Sequence, residues 1–302
     1  MKILNKKNSY EQFKNWLDIN TKSLEGKNVA ITGSTGGLGK ELAEYIAYLK
    51  GSLVLVDRNI SKSKALKEEL EAKFPTVSIS CVTADLSDID SVKNAAEILS
   101  DMPIDIFIHN AGAYSIPRKI CSTGFDNVFQ INFVSPYYLI KTLLPNISKA
   151  SGKVVVVGSI AHNYSKTDKN NVDFKTVNAA SKVYGNAKRY LMFSLYNLFK
   201  NEKNATLSIT HPGITFTGIT AHYPKVVFAI IKNPMKIIFM KPSKAALSIL
   251  KGVFDSTKNN EWIGPRIFNV WGLPNKKILK TVSNEESIYI SSRAEEIYQS
   301  LI

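Results

Sequence analysis

The chain has 302 residues, of which 44% are hydrophobic and 21% charged, enough for one large core and too apolar for a disordered chain. Its two cysteines, Cys81 and Cys121, and its four scattered histidines exclude a disulfide framework and a clustered metal site, so no metal is expected. The net charge of +14 comes from lysines spread along the chain; without interleaved aromatics that pattern argues against nucleic acid and leaves a weak attraction to anionic membrane surfaces as an expectation.

From the N-terminus, Met1 to Lys7 contain no apolar stretch of signal-peptide length. Tyr10, Phe13, Trp16 and Leu17 then recur at helical spacing and predict an amphipathic helix over 9–24. Lys27 to Thr32 read as a strand, followed by a glycine-rich turn and a helix from about Leu38 to Leu49. Further strands are expected at Ser52–Asp57, Val77–Thr83, Ile104–His109, Lys153–Gly158, Thr206–His211 and Trp262–Phe268. Helices are expected between them at 61–73, 88–100, 122–148 and 176–200. This alternation predicts an α/β fold, a doubly wound parallel sheet with helices on both faces. The strands are continuous apolar runs, as strands buried on both faces must be. No linker or repeat interrupts the chain, which predicts one domain over 1–302, with an N-terminal extension at 1–25, a core at 26–213 and a tail at 270–302 packed on that core. The longest pure apolar run near the C-terminal half, Val226 to Ile231, is far short of the ~20 residues of a membrane span, so a soluble, cytoplasmic protein is expected.

The turn Thr32-Gly33-Ser34-Thr35-Gly36-Gly37-Leu38-Gly39 closes the first strand and opens a helix. Glycines there let the backbone approach a pyrophosphate, and the helix N-terminus supplies N–H groups and partial positive charge. Asp57 ends the second strand, 18 residues after Gly39. Its carboxylate suits ribose hydroxyls and repels a 2′-phosphate, which favours NAD(H). Arg58 follows directly and suits the 2′-phosphate of NADP(H), so the two residues conflict.

The spacing Thr-Gly-x-x-x-Gly-x-Gly resembles the short-chain dehydrogenase/reductase family, whose core is of Rossmann type. Further motifs follow in order. Asp85-Leu86 looks like the family's acidic adenine contact, and Asn110-Ala111-Gly112 resembles its Asn-Asn-Ala-Gly motif with His109 in place of the first Asn. The resemblance makes Asn132 the helix asparagine that relays protons through a water. His211-Pro212-Gly213 resembles the Pro-Gly motif, after which Ile214 and Thr217 would hold the nicotinamide carboxamide.

Ser159 stands at a strand end, and Tyr184 and Lys188 lie four residues apart, one turn on a helix face. An ammonium beside a phenol favours the phenolate, and moving a tyrosine from about 10 to near 7 needs roughly 4 kcal/mol. The resemblance thus implies hydride transfer between a nicotinamide and a carbonyl carbon. Tyr184 would protonate the oxygen, Ser159 polarise it, and Lys188 bind the nicotinamide ribose. His162 and His211 are weaker candidates for the base. The spacing of 25 from Ser159 to Tyr184, with Ser-Ile-Ala-His at 159–162, most resembles the branch of retinol dehydrogenases and protochlorophyllide reductases. The polar insertion Asn163–Thr176 is expected to loop over the site edge.

Residues 214–242 are rich in apolar side chains and stand where the family has its substrate lid, so a lipophilic alcohol, ketone or aldehyde is expected as substrate. Other readings of the segment are a core contact or a homo-oligomer interface. Other readings of the chain are a non-catalytic dinucleotide-binding sensor or scaffold, or an NAD-dependent epimerase or lyase.

Overall fold

A computed structural model of the chain describes residues 9–215 and 239–302. Helices α1 (Ser9–Gln12) and α2 (Lys14–Asn20) precede strand β1 (Asn28–Thr32). Alternating elements follow: α3 (Gly37–Tyr48), β2 (Ser52–Asp57), α4 (Ile60–Lys73), β3 (Ile79–Thr83), α5 (Ile89–Ser100) and β4 (Ile106–His109). The next helical stretch has three parts, α6 (Asn127–Phe129), a π-helical turn (Gln130–Val134) and α7 (Ser135–Lys149). Then come β5 (Lys153–Val157), a 3₁₀ turn (Ile160–Tyr164), α8 (Ala180–Leu198) and β6 (Thr206–Thr210). The chain ends with α9 (Pro242–Phe254), β7 (Glu261–Ile267), β8 (Trp271–Ile278) and α10 (Asn284–Gln299).

The eight strands form one sheet in the order β3-β2-β1-β4-β5-β6-β7-β8, parallel except for the antiparallel pair β7–β8. The expected doubly wound α/β fold is therefore present. Its cause is visible in β5, where Val154 and Val156 join the core under α5, α7, α8 and α10, and Val155 and Val157 join the core under α3, α4 and α9. Successive side chains of a strand point to opposite faces, so a run of β-branched residues feeds both layers.

Three differences from the expected elements have physical reasons. The long helix begins at Asn127, five residues later than its apolar pattern suggested, because Gly124 takes a left-handed φ of +79° and Asp126 caps the helix by accepting from the Val128 N–H at 2.9 Å. The tail contributes the edge strand β8 as well as a packed helix. Alternation along β8 is interrupted by Pro274 and two lysines, which hides a strand from a periodicity reading. Helix α9 was also not expected; it packs on α3, where Tyr45 donates to the Ser243 carbonyl at 2.9 Å.

Candidate active site

The C-terminal ends of β1, β2, β4, β5 and β6 converge on one rim, the crevice where open α/β sheets bind ligands. The structure brings the residues singled out by their motifs to this rim, with one exception: Thr217 lies outside the described residues, as does most of the 214–242 segment. Ile214 lies at the base of that segment, where its carbonyl accepts from the Met240 N–H at 2.9 Å and Thr215 bridges Met240. Pro212 is buried, and Gly213 has φ +81°.

The β1–α3 turn is shaped by close approach. Gly33 adopts φ +68° and packs on Ala111, and a Cβ on Gly39 would stand 2.0 Å from the Gly33 carbonyl oxygen. Ser34 is buried, Leu38 enters the core under α3, and Gly36 and Gly37 face solvent where α3 begins. No side chain caps that helix, so its first N–H groups are free for an anion. The turn fits a dinucleotide pyrophosphate.

Asp57 takes a different part from the one its position suggested. It is buried, and its carboxylate accepts from the Ser34 hydroxyl, the Thr35 N–H at 3.1 Å, the Thr35 hydroxyl at 3.0 Å and the Ser63 hydroxyl at 3.0 Å. It braces the turn from below. Arg58 is exposed and has no hydrogen-bond or ion-pair partner among the described residues.

Asp85 likewise accepts from its neighbour, through the Ser87 N–H and hydroxyl, both at 2.8 Å, while the Leu86 carbonyl accepts from the Ser135 hydroxyl at 2.7 Å. Asn110 donates to the carbonyls of Thr32 and Gly33 at 3.1 and 3.0 Å and so holds the turn. The Thr32 hydroxyl accepts from the N–H groups of Asn110 and Ala111, both at 3.1 Å, and lies 3.0 Å from His109 Nδ1. A hydroxyl already accepting twice must donate to that nitrogen, which puts the imidazole proton on Nε2. Burial and the nearby Lys188 hold His109 well below its usual range, in keeping with a neutral ring. His109 thus joins β1 to β4.

At the catalytic end, Asn132 sits inside the π-helical turn and is fully buried. Its amide donates to the Ala113 and Val128 carbonyls at 2.8 Å, and its oxygen accepts from the Ala113 N–H at 3.2 Å. A Cβ on Gly112 would lie 2.8 Å from that oxygen and 3.7 Å from Lys188 Nζ, which places Asn132, Gly112 and Lys188 together. Lys188 is buried and donates to the Val157 carbonyl at 2.8 Å, two residues before Ser159. Its Nζ lies 5.7 Å from the centre of the Tyr184 ring. Ser159 has extended backbone, and its hydroxyl accepts from the Ala161 N–H at 3.2 Å and lies near enough to Tyr184 to draw the phenol's titration downward.

The electrostatics differ from expectation. Desolvation pushes Tyr184 up to about 12, against the Ser159 hydrogen bond, and Tyr114 adds to the rise. Desolvation also pushes Lys188 down to about 7. The expected lowering of the phenol by a fixed ammonium does not operate in the protein alone, because burial penalises the charged form of both groups.

His162 and His211 are buried behind the site. His162 Nδ1 lies 2.6 Å from the Ser159 carbonyl and Nε2 3.2 Å from the Lys280 carbonyl. His211 stacks on Trp262 with ring centres 5.0 Å apart, and burial pushes it down to about 4. Both rings are packing elements.

Several supporting residues carry no short-range signal. Arg118 pairs with Asp126 and donates to the carbonyls of Val177 and Phe174 at 2.9 and 3.1 Å, tying the 163–176 insertion to the site wall. Phe174 and Val183 pack with Ile116, Val177 and Tyr184, and the Tyr114 ring meets that of Tyr184 edge-on at 5.4 Å. Arg189, next to Lys188, donates to both carboxylate oxygens of Glu286 at 2.6 and 2.7 Å and to the His162 carbonyl at 3.1 Å. Glu286 also accepts from the Thr167 N–H at 3.2 Å, so the tail anchors α8 and the insertion at once. These partners are 8 to 119 residues apart in sequence. Among the described residues no cluster of histidine, cysteine or carboxylates could hold a metal.

Comparison with known proteins gives a consistent picture. The short chain dehydrogenase family model matches residues 27–225. The chain is 27% identical over 222 residues to the short-chain dehydrogenase TIC 32 A, chloroplastic, of Brassica napus, covering 67% of this chain and 68% of that protein. It is 26% identical over 211 residues to human retinol dehydrogenase 13, covering 66% and 62%. Among solved structures, a short-chain dehydrogenase from Sphingobium yanoikuyae in complex with NADPH superposes with a TM-score of 0.59 at 19% identity, covering 91% of this chain and 96% of that one.

Proposed function

The chain belongs to the short-chain dehydrogenase family, and from that premise we propose that it is an NAD(P)-dependent oxidoreductase that interconverts a lipophilic alcohol and its ketone or aldehyde, with Tyr184 as general acid and base. The observation that carries the reading is the meeting of Ser159, Tyr184, Lys188 and Asn132 beside a glycine turn fit for pyrophosphate. Four polar groups from three separate segments gain nothing for folding by assembling around a desolvated lysine.

Bound in this cleft, a nicotinamide cofactor supplies or accepts the hydride. The chain's own residues do the rest. Ser159 donates to the substrate oxygen and fixes it beside the Tyr184 hydroxyl. Tyr184 passes its proton to that oxygen in reduction and takes it back in oxidation. Lys188, anchored at the Val157 carbonyl, keeps its amino group near the phenol and would hold the nicotinamide ribose hydroxyls of a bound cofactor. Asn132 fixes the loop after β4 by bonding both backbone groups of Ala113.

Two features support the finer choices. The Asp57 carboxylate is taken up by donors of its own chain and Arg58 has no partner among the described residues, which supports NADP(H) over the NAD(H) that Asp57 first suggested. The wall beside Tyr184, made by Tyr114, Ile116, Phe174 and Val177, is apolar and supports a lipophilic substrate independently of the 214–242 segment.

Turnover of a panel of long-chain, polycyclic and small polar carbonyls with NADPH and NADH tests both choices. Lipophilic carbonyls with NADPH should give the highest kcat/KM; a preference for small hydrophilic sugars overturns the substrate reading. Tyr184→Phe should keep cofactor binding and lose about 10²–10⁴-fold in kcat. Equal activity refutes the catalytic assignment of Tyr184, and cofactor binding by the unmodified chain without turnover of any carbonyl would favour a dinucleotide-binding sensor.

A further inference from the structure

The lysines are spread evenly, but the charge imbalance is not. Lys203 to Phe254 contain seven lysines and no acid, and Trp262 to Asn284 contain Arg266, Lys276, Lys277 and Lys280 and no acid. Seven and four make +11 of the net +14, so the remainder of the chain is close to neutral. Lys225, Lys232 and Lys236 lie outside the described residues, and Lys251 and Lys276 pair with Asp255 and Glu261; the described elements of these stretches, β6, α9, β7 and β8, are neighbours on one side of the sheet.

Strand β7 runs parallel to β6, so its C-terminal end reaches the same rim as Ser159 and Pro212. There the chain reverses through Phe268 and Asn269, both left-handed at φ +48° and +59°. A left-handed phenylalanine is disfavoured where asparagine or glycine would serve. Phe268 is nonetheless 83% exposed, with Ile267 at 50%, Leu273 at 44% and Trp271 at 37% around it. Single exposed apolar residues are ordinary, but Phe268, Ile267 and Leu273 together on one hairpin form a patch. A groove of about 590 Å³ continues from Leu273 toward Trp16, Ile19 and Lys244.

We propose that the β7–β8 hairpin tip is a membrane-docking surface. Phe268 and its apolar neighbours enter the headgroup–acyl boundary of an anionic bilayer, while Arg266 and Lys244 meet the lipid phosphates. A nucleic acid would match the charge but leave the protruding phenyl ring and Ile267 in water. Docked in this way, the cleft rim faces the layer in which an apolar substrate dissolves. The inference concerns binding and not turnover, so it stands or falls separately from the reaction proposed above.

Co-sedimentation of the full chain with phosphatidylcholine vesicles, with and without phosphatidylserine, tests it. The chain should sediment with the phosphatidylserine vesicles, weakly or not at all with phosphatidylcholine alone, and be released by high salt. Phe268→Glu should weaken binding at least about tenfold without lowering Tm, since the side chain is exposed. Failure of the unmodified chain to bind overturns the proposal. So does undiminished binding of Phe268→Glu, which would assign the basic face to polyanions in general. A Tm loss in Phe268→Glu would show the tip covered by its own chain, and a dimer broken by Phe268→Glu without lipid would show a second copy there; either result overturns the proposal.

Discussion

The two ends of the cleft solve opposite problems. At the nucleotide end, around the β1–α3 turn, the Asp57 carboxylate has four donors, Asn110 has two acceptors, and Thr32 links three partners. At the catalytic end, burial holds Tyr184 up at about 12 and Lys188 down at about 7. The first region is preorganised and uncharged toward its ligand. The second holds titratable groups against their solvent preference, and burial there brings Lys188 toward neutral pH while taking Tyr184 further from it. Binding geometry and reactivity are thus built by different physics in one crevice.

The comparison breaks first at Gly39. A methyl group there would stand 2.0 Å from the Gly33 carbonyl oxygen and 2.8 Å from the Ser34 Cα, both backbone atoms that cannot step aside. Gly39→Ala should cost about 4 kcal/mol or more and abolish cofactor binding, read by denaturant unfolding and cofactor titration. A tolerant variant would mean that the turn is not preorganised.

Lys188→Met tests the opposite end. It should lower kcat by about 10²–10⁴-fold. Stability should rise by about 1–3 kcal/mol, because a buried charge is removed. The sign has a pH signature. With a folded value of about 7 against an ordinary 10.5, the native state releases a proton that the unfolded chain retains between those values. Wild-type stability therefore climbs across that window, and the gain from methionine is largest near pH 6 and gone above about 10.5. A variant destabilised at pH 6 would show that the Val157 hydrogen bond outweighs desolvation.

The sequence made the succession of strands and the nearness of Tyr184 to Lys188 legible, because both are written locally. Apolar runs between glycine turns mark β1 to β6, and Tyr184 and Lys188 are one helical turn apart. What it hid is non-local. Asp57 reads as a ribose ligand until Ser34, Thr35 and Ser63 fold onto it. Lys188 reads as a fixed ammonium until the core closes around it and moves its titration. The Arg189–Glu286 pair spans 97 residues, and β8 lost its alternation to Pro274 and two lysines.

That pair offers the next test. Burial raises the Glu286 carboxyl, but hydrogen bonds and charge from Arg189, with those from Thr167, outweigh it and bring the group to about 2 from 4.5. A depressed carboxylate stabilises the fold above its unfolded value and loses that contribution as pH falls through the folded one. About 3 kcal/mol should therefore disappear between pH 4.5 and 2 in the wild type. Glu286→Gln should lack this acid transition and be less stable at pH 7 by a similar amount, followed by urea unfolding. An unchanged pH profile would separate the tail from the catalytic end.

The smallest effect sharpens the nucleotide end. If Asp57 is consumed in bracing the turn, cofactor choice falls to Arg58, which is exposed and unpartnered among the described residues. A guanidinium meeting a 2′-phosphate at the surface is worth about 1–2 kcal/mol, in line with hydrogen bonds to charged groups. Arg58→Ser should then raise KM for NADPH about tenfold, leave KM for NADH unchanged and leave kcat with saturating cofactor intact. Asp57→Asn makes the complementary case. As a ribose ligand its loss would weaken NADH alone; as a brace its loss releases Ser34 and Thr35 together and weakens both cofactors alongside a lower Tm. The pattern across the two substitutions therefore decides whether preorganisation and specificity at this end reside in one residue or in two.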